Sequence, residues 1–354
     1  MAEKTIGEPG PASLSIHISF WVGYGEAVTL IVHPHFHRRR SGATAHIEAI
    51  VPELQHTLQV RTIGQRLAVG MPRIRVGELI REPGRIVWHA HRVNELLWGM
   101  LLRLVHRNTR LVFTRHHGGR PSWFTRLVMR FADRVIALTA EVARELTLPV
   151  EIVGHGVDLA KFQPPAERQA SWRVLGQGGD FGVGVLGRVR PSKGSGDFVE
   201  AVAPLLTCDS PWRAVVVGLV QPRFVRHARK WQALGGEKLR LVGEQRNVAD
   251  WYAGLTIVVQ PSHAEGFGLV LLEAMASGCC VVAAHLSHYD AFIKDGETGF
   301  FYPVGNVLAL REILRGLFAN PARAQAVGRA AAVAARLFGV EREAAALARV
   351  YGEV

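Results

Sequence analysis

The sequence predicts an α/β protein with two doubly wound, Rossmann-like domains that face each other across a cleft. Short apolar runs alternate with amphipathic helical patterns, which is typical of parallel sheets covered by helices. A polar, proline-containing segment, 161–171, interrupts this alternation and predicts a linker, after which the alternation starts again. The 354 residues are enough for two domains with a hydrophobic core each.

Eleven segments have the pattern of buried parallel strands. Those before the interruption are 27–33, 58–64, 85–90, 110–114, 134–139 and 150–154. Those after it are 181–187, 212–219, 238–243, 255–260 and 280–284. Helical patterns lie between them, for example at 43–54 and 94–107, and we expect Thr139 to cap the helix that follows it.

These segments predict an N-terminal domain at 27–165 and a C-terminal domain at 166–335. Residues 1–26 fit neither domain, and we expect them to form a flexible extension. Their start is acidic and has no basic region, so it does not resemble a signal peptide.

The composition is that of a globular protein, with 48% hydrophobic and 20% charged residues. No apolar run reaches the roughly 18 residues of a membrane span. The three cysteines show no metal-binding spacing, which favours a reducing, cytoplasmic compartment. The net charge is +12, and residues 1–165 hold 21 of the 42 Lys and Arg against 13 of the 30 Asp and Glu. This excess indicates an anionic partner for the N-terminal half, or else a compositional bias toward arginine.

The most informative segment is 262–278, SHAEGFGLVLLEAMASG, which follows the predicted strand 255–260. Glu265 precedes the predicted helix and Glu273 lies on its second turn, a spacing that suits the ribose and the sugar of a nucleotide sugar. Between them, Gly266 and Gly268 allow backbone N–H groups to approach phosphate at a helix N-terminus. Gly278 is expected to end this helix.

A second motif, 187–194, GRVRPSKG, follows the first strand of the C-terminal domain. Arg188 and Lys193 would supply two cations for a diphosphate at the carboxyl end of a strand, where α/β sheets bind ligands. Each motif alone is more often a solvated surface feature. Their occurrence in order, each after a strand, favours a nucleotide-sugar site.

Both motifs, together with 155–158 (HGVD) and Phe162, resemble the family 4 retaining glycosyltransferases of the GT-B fold. The resemblance spans 27–354. It implies that Arg188 and Lys193 hold the donor diphosphate, that Glu273 binds the ribose, and that Glu265 contacts the transferred sugar with Phe267 beside it. It also implies that the last helix, 340–352, crosses back onto the N-terminal domain. Many members have Asn where this chain has His155.

The N-terminal half resembles one subgroup, the mannosyltransferases of lipopolysaccharide core assembly. The matching segments are PHFHRRRSGAT (34–44), WHAHRVNE (88–95), LVFT (111–114) and WFTR (123–126). This resemblance implies GDP-mannose as the donor and a Kdo-containing lipid A core as the acceptor.

Four histidines, His89, His91, His116 and His117, follow predicted strands at the edge that faces the cleft. Family 4 enzymes often place an active-site histidine where His116 lies, so we predict a catalytic role for His116. We assign His89 and His91 to acceptor binding. We expect no metal and no cofactor, because no carboxylate or Cys joins these histidines at a ligand spacing and the chain has no Asp-x-Asp motif.

Two basic features of the N-terminal domain indicate an anionic acceptor at a membrane. Arg38, Arg39 and Arg40, beside Gly42, are expected to line the cleft and bind the acceptor. In 121–134, an apolar face with Trp123 and Phe124 lies beside a row of Arg126, Arg130 and Arg134, which suits an acidic membrane surface as well as an ordinary solvated helix.

We therefore predict a retaining hexosyltransferase, cytoplasmic and peripheral on the inner face of the cytoplasmic membrane. Its partners would be a nucleotide sugar and an anionic lipid-linked glycan. Alternatives are a UDP-sugar donor with another anionic lipid, or a nucleotide-sugar epimerase. A nucleic-acid-binding protein is disfavoured, because the chain has no recognised nucleic-acid motif and Glu265 and Glu273 would repel phosphates.

Overall fold

A computed structural model describes residues 29–37 and 42–354. The predicted extension 1–26 and the three acceptor-site arginines, Arg38, Arg39 and Arg40, lie outside the described residues.

The N-terminal half forms a sheet of six parallel strands in the order β2-β1-β3-β4-β5-β6. Its elements along the chain are β1 (Leu30–His35), α1 (Gly42–Leu54), β2 (Gln59–Gly64), α2 (Val76–Ile80), β3 (Ile86–Ala90), α3 (Val93–Val105), β4 (Thr109–Arg115), α4 (Trp123–Met129), β5 (Arg134–Ala137), α5 (Ala140–Arg144) and β6 (Glu151–Ile152).

The C-terminal half forms a second parallel sheet in the order β12-β11-β10-β7-β8-β9. Its elements are α6 (Arg168–Val174), β7 (Phe181–Leu186), α7 (Ser195–Val202), β8 (Trp212–Val217), α8 (Val225–Gly235), β9 (Leu239–Gly243), α9 (Val248–Gly254), β10 (Leu255–Gln260), α10 (Leu269–Ala276), β11 (Cys280–Ala284), β12 (Phe300–Tyr302), α11 (Val307–Ala319), α12 (Pro321–Ala335) and α13 (Val340–Gly352). Short 3₁₀ turns complete the chain, one of them at Pro191–Lys193.

The predicted fold class of two Rossmann-like domains is confirmed, and each of the eleven predicted strands has its counterpart. The strand that sequence reasoning missed is β12, which has three residues and so no usable periodicity. Helix α6 begins inside the predicted linker 161–171, because Trp172 is buried in the second core.

Strand order determines where each domain can bind a ligand. In the second sheet the order reverses between β7 and β10, and in the first between β1 and β3. At such a switch point the two following loops diverge to opposite faces of the sheet and leave a crevice. The loops after β7 and β10 contain the two predicted donor motifs.

Both faces of each sheet are covered, as expected for parallel strands. Along β10, Leu255 and Val258 join one core cluster, whereas Ile257 and Val259 join the cluster on the opposite face. The first sheet likewise separates two clusters, one against α3 and α4 and one against α1 and α13.

Helix α13 follows the second sheet in sequence but packs on the first domain. Val340, Leu347 and Tyr351 are buried in the cluster that contains the α1 residues. The loop after β6 fixes the start of this helix, because the N–H of Val340 donates to the carbonyl of Val157 at 3.0 Å.

Two predicted helix boundaries are confirmed. The Thr139 hydroxyl accepts from the N–H of Val142, and Gly278 ends α10 with a φ of 72°. The predicted row of arginines in 121–134 is wrong in one respect. Helix α4 ends at Met129, and Arg134 begins β5 and pairs with Glu151.

A pair of glycine substitutions tests how tightly α10 and α12 are packed. A β-carbon on Gly328 would lie 2.2 Å from the carbonyl oxygen of Gly278, whereas one on the helical Gly316 would contact nothing within 4 Å. We expect Gly328→Ala to lower the free energy of unfolding by about 1–3 kcal/mol through overpacking. Gly316→Ala should raise it by up to about 1 kcal/mol through helix propensity. Urea unfolding measures both, and the same sign for the two variants would contradict this packing.

Candidate donor site and an adjoining histidine cluster

The loops after β7 and β10 are joined to each other at the switch point. The N–H of His263 donates to the carbonyl of Ser192 at 3.1 Å. Gly194, with a φ of 63°, lies so close to Pro261 that a β-carbon would be 1.9 Å from its carbonyl oxygen. A residue other than glycine would separate the two loops.

The predicted sugar-contacting and diphosphate-binding residues meet at this junction. Lys193 forms an ion pair with Glu265, and each side chain is one fifth exposed. The same carboxylate oxygen accepts from Gln260 Nε2 at 3.1 Å. The ion pair and the hydrogen bond from Gln260 therefore fix the orientation of Lys193 and Glu265 at the crevice. Arg188 follows β7 at the same sheet edge and is half-buried.

The glycines of the second motif have different roles. Gly268 precedes α10 with a φ of 104°, which an L side chain rarely adopts, and thereby sets where the helix begins. Gly266 contacts the other domain, because a β-carbon there would lie 2.0 Å from the carbonyl oxygen of His116. Phe267 also crosses to the first domain, where its ring centroid lies 5.4 Å from that of His155.

Glu273 lies on the second turn of α10, as predicted. Its carboxylate accepts from the Tyr252 hydroxyl at 2.7 Å. Desolvation raises the pKa of Glu273 to about 7, against the lowering effects of that hydrogen bond and of Lys161. Since residues 265–268 form a loop, the helical spacing assumed between the two glutamates applies only from Leu269 onward.

Beside the cleft, the first domain contains a cluster of six histidines with Glu343 and Tyr351, here called the histidine cluster. Its members come from β1, α1, β3, the loops after β3, β4 and β6, and α13. The six histidines are His33, His46, His89, His91, His116 and His155.

A continuous series of hydrogen bonds runs through the cluster. Nδ1 of His33 lies 3.0 Å from Nε2 of His91, and Nδ1 of His91 lies 2.9 Å from Nε2 of His116. Nδ1 of His116 in turn lies 3.1 Å from Nε2 of His155, and Nδ1 of His155 lies 2.9 Å from Glu343 Oε1. His91, His116 and His155 therefore each use both ring nitrogens.

Burial controls the charges in this cluster. Desolvation is the largest cause of the lowered pKa values of His33, His91, His116 and His155, which keeps these imidazoles neutral at pH 7. Glu343 is the exception, because despite burial the interactions with His46 and His155, which hydrogen-bond to it, hold its pKa well below the usual range. The backbone N–H of Gly156 also donates to Glu343, at 2.8 Å.

The structure corrects the predicted placement of His89 and His91 at the cleft edge. Both side chains are buried, and His89 bonds Tyr351 and Thr114 at 2.7 Å each. His116 is partly exposed, but both of its ring nitrogens are used by neighbouring histidines, and its catalytic role remains a prediction. Gly42 is exposed at the start of α1.

Sequence reasoning missed His33, His46, Tyr252, Glu343 and Tyr351. The cluster also contains one carboxylate, because Glu343 hydrogen-bonds His46 and His155. The sequence offered one signal for these residues, a histidine among apolar residues. His33 lies on the apolar strand β1, and His46 lies on the buried face of α1. The partner carboxylate lies too far along the chain for spacing to reveal it.

Two Rossmann-like domains, with a basic diphosphate-type loop and a Glu-x7-Glu loop at the second switch point, define a glycosyltransferase of the GT-B fold. The sequence model of the family "Glycosyl transferases group 1" matches residues 180–320, which include both loops. The chain belongs to this glycosyltransferase family. The family match argues against the alternative that the chain is a nucleotide-sugar epimerase.

Similar proteins extend the match over nearly the whole chain. The chain is 37% identical to the lipopolysaccharide core biosynthesis mannosyltransferase LpcC of Rhizobium leguminosarum bv. viciae, over 92% of this chain and 96% of that protein. It is 34% identical to the protein LpsB of Rhizobium meliloti, which carries the same description, over 91% and 96%.

Solved structures support the fold. Anabaena HepE in complex with UDP-glucose superposes with a TM-score of 0.78 at 19% identity, over 92% of this chain and all of that chain. Sucrose-phosphate synthase from Thermosynechococcus elongatus superposes with a TM-score of 0.74 at 19% identity, over 92% and 98%.

Removal of either cation tests the donor site. We expect Arg188→Ala or Lys193→Ala to lower turnover by about 10²-fold or more, because each would remove a charge that is predicted to stabilise the departing diphosphate. Lys294→Ala, an exposed lysine of the same domain, is the matched control and should leave turnover unchanged. Steady-state kinetics measure all three, and near-normal rates in both test variants would contradict this assignment.

Proposed function

We propose that the chain transfers mannose from GDP-mannose, with retention of the anomeric configuration, onto a lipid-linked core oligosaccharide. The observation that carries the proposal is the contact of Lys193 with Glu265 at the switch point of the second domain, with Glu273 on the helix that follows. The choice of mannose and of a core acceptor is supported by the names of the two relatives, which match over nearly their whole length.

The proposed reaction is a front-face substitution. The acceptor hydroxyl oxygen forms a bond to the anomeric carbon while the bond from that carbon to the diphosphate oxygen breaks. The electron pair of the broken bond goes to the diphosphate, and the hydroxyl proton goes to a phosphate oxygen. Arg188 and Lys193 act where this negative charge develops, so catalysis rests on positioning and on stabilising the leaving group.

We also propose that the donor diphosphate needs no Mg²⁺ or Mn²⁺. Such ions bind through oxygen ligands, mainly carboxylates. Glu265 is already paired with Lys193, and Glu273 receives a hydrogen bond from Tyr252. The two cations Arg188 and Lys193 can supply the neutralisation in place of a metal.

A panel of nucleotide sugars tests the donor. We expect GDP-mannose to stabilise the protein against heat more than UDP-glucose or UDP-N-acetylglucosamine, since a ligand at 100 times its Kd adds about 2.7 kcal/mol. In the matching activity assay, added Mg²⁺ or Mn²⁺ should not change turnover. Preferential stabilisation by a UDP-sugar would replace GDP-mannose in the proposal, and dependence on Mg²⁺ or Mn²⁺ would overturn the metal-free diphosphate site.

The two glutamates should differ in their effects. Glu273→Gln should mainly weaken binding of the nucleoside diphosphate, while Glu265→Gln should lower the rate and the discrimination between sugars. Because the pKa of Glu273 is about 7 and its charged form is the better acceptor for ribose hydroxyls, wild-type affinity should fall as the pH falls through about 7.

Isothermal titration with GDP across this pH range separates the possibilities. The affinity of Glu273→Gln should be flat with pH, and that of Glu265→Gln should follow the wild type. Equal losses of GDP affinity in both variants would contradict the division of roles.

We propose that helices α3 and α4 contact the membrane. Among residues 29–37 and 42–354, no helix is both long and apolar enough to cross a bilayer. The two helices nevertheless pack side by side and leave a set of large apolar side chains exposed, here called the apolar surface. Its members are Trp98, Leu101, Leu104, Val105, Trp123, Phe124, Leu127 and Phe131. A single exposed apolar residue needs no explanation, but many large ones on two neighbouring helices indicate an interaction site.

Charge favours an acidic lipid surface as the partner. Arg107, Arg126 and Arg130 are exposed on or beside these helices. Tryptophan and phenylalanine flanked by arginine suit the headgroup region of a bilayer. Arg134 pairs with Glu151 and contributes less than the sequence predicted.

Vesicle sedimentation tests this contact. We expect binding to vesicles of phosphatidylglycerol and phosphatidylcholine, weakened by salt because exposed charges are screened within about 8 Å at physiological ionic strength. Replacing Trp123, Phe124 and Leu127 with Ser should abolish this binding and leave GDP binding unchanged. Val333→Ser with Leu337→Ser, two exposed apolar residues of the other domain, is the matched control. Equal binding to pure phosphatidylcholine at every salt concentration would refute the acidic-surface proposal.

A further inference from the structure

Three side chains of the histidine cluster have the arrangement of a metal site. Nitrogen atoms of His46, His116 and His155 all lie within 4.8 Å of one another. One such pair, His116 Nδ1 and His155 Nε2, is 3.1 Å apart. Two imidazole nitrogens on one tetrahedral zinc ion, each at about 2.0–2.1 Å, would be about 3.3 Å apart. The His116–His155 pair is therefore already close to the separation that coordination requires.

Glu343 prepares two of these imidazoles for a metal. Its Oε1 accepts from His46 Nε2 at 2.7 Å and from His155 Nδ1 at 2.9 Å. The nitrogen of each ring that faces Glu343 therefore carries a proton, and Nδ1 of His46 and Nε2 of His155 are the nitrogens that remain to bind a metal. A carboxylate behind a ligating histidine is the usual arrangement in metal sites, because it fixes the tautomer and raises the basicity of the ligand.

One of these three rings has an unsatisfied atom. His46 is 4% exposed, and its Nδ1 has no hydrogen-bond partner. A buried polar atom without a partner is costly, so such atoms call for an explanation such as a bound ion. We propose that His46, His116 and His155 bind one divalent transition-metal ion of the zinc class, with Glu343 as the carboxylate that orients them.

The other three histidines of the cluster do not form an equivalent site. Nitrogens of His33, His89 and His91 also lie within 4.8 Å of one another. Both ring nitrogens of His89 are, however, bonded to groups outside its trio, Tyr351 and Thr114, whereas Nδ1 of His116 is bonded to another proposed ligand, His155. Among the described residues, no carboxylate hydrogen-bonds to a ring of this trio. His91 instead shares a hydrogen bond between its Nδ1 and Nε2 of His116. It therefore supports a ligand of the proposed site without being a ligand itself.

The metal would join segments that are distant in the chain. Its ligands come from α1, from the loop after β4 and from the loop after β6, and Glu343 adds α13. Two of these ligands also contact the donor loop, because the carbonyl of His116 meets Gly266 and the ring of His155 meets Phe267. The ion would thereby fix the first domain's side of the cleft. Imidazole ligands suit zinc and disfavour Mg²⁺. A zinc ion at this site is therefore compatible with the proposal that the donor diphosphate binds without Mg²⁺ or Mn²⁺.

Metal content tests the site directly, without an activity measurement. The full chain is expressed with added zinc and purified without chelator, and bound metal is counted by mass spectrometry. We expect close to one zinc ion per chain in the wild type. After removal of zinc and addition of Co²⁺, we expect the intense visible absorption of tetrahedral cobalt.

Variants locate the ion. His46→Phe keeps an aromatic ring but removes the nitrogen ligands, and it should lose both the zinc and the cobalt absorption. His89→Asn, from the other trio, and His263→Ala, on the surface, are the controls and should keep both. A wild-type protein that binds no zinc and shows no cobalt absorption overturns the proposal. The cluster is then a series of hydrogen-bonded histidines without a metal. Zinc retained in full by a folded His46→Phe also overturns it, because the ion then lies elsewhere. Should His46→Phe not fold, the wild-type count and cobalt spectrum still decide the outcome.

Discussion

The buried carboxylate of Glu343 is the interaction on which the first domain's side of the cleft depends. A buried anion is stable only when hydrogen bonds replace its hydration, and here two imidazoles and the backbone N–H of Gly156 do so. These donors come from α1 and from the loop after β6. The last helix, which follows the second domain in sequence, is thereby fixed onto the first by a polar contact as well as by its apolar residues.

The same contact extends to the donor site through close packing. His155 is held by Glu343 on one side and meets Phe267 on the other. The carbonyl of His116 approaches Gly266, where only a glycine leaves enough room. Because close-packed interfaces transmit small shifts, the position of the cluster affects the loop that contains Glu265. The two domains are therefore coupled at the residues that the reaction is proposed to use.

Electrostatics divides the molecule into two parts with different tasks. In the second domain, Lys193 and Glu265 form a charged pair at the crevice, where a diphosphate and a sugar can exchange contacts with them. In the first domain, burial lowers the pKa values of His116 and His155 beside one buried carboxylate, Glu343. Further out, α3 and α4 expose apolar side chains near arginines, which suits a proposed acceptor held at a membrane.

The sequence by itself determined the features that depend on local period and spacing. The alternation of strands and helices, the cap at Thr139 and the placement of Glu273 after β10 follow from short-range rules. Only the tertiary structure decided the histidine cluster, because His46 and Glu343 are 297 residues apart and meet only when α13 returns to the first domain. It also decided that His89 is buried, since its strand position allowed either a cleft-facing or a core-facing ring, and the packing of Tyr351 selects the core.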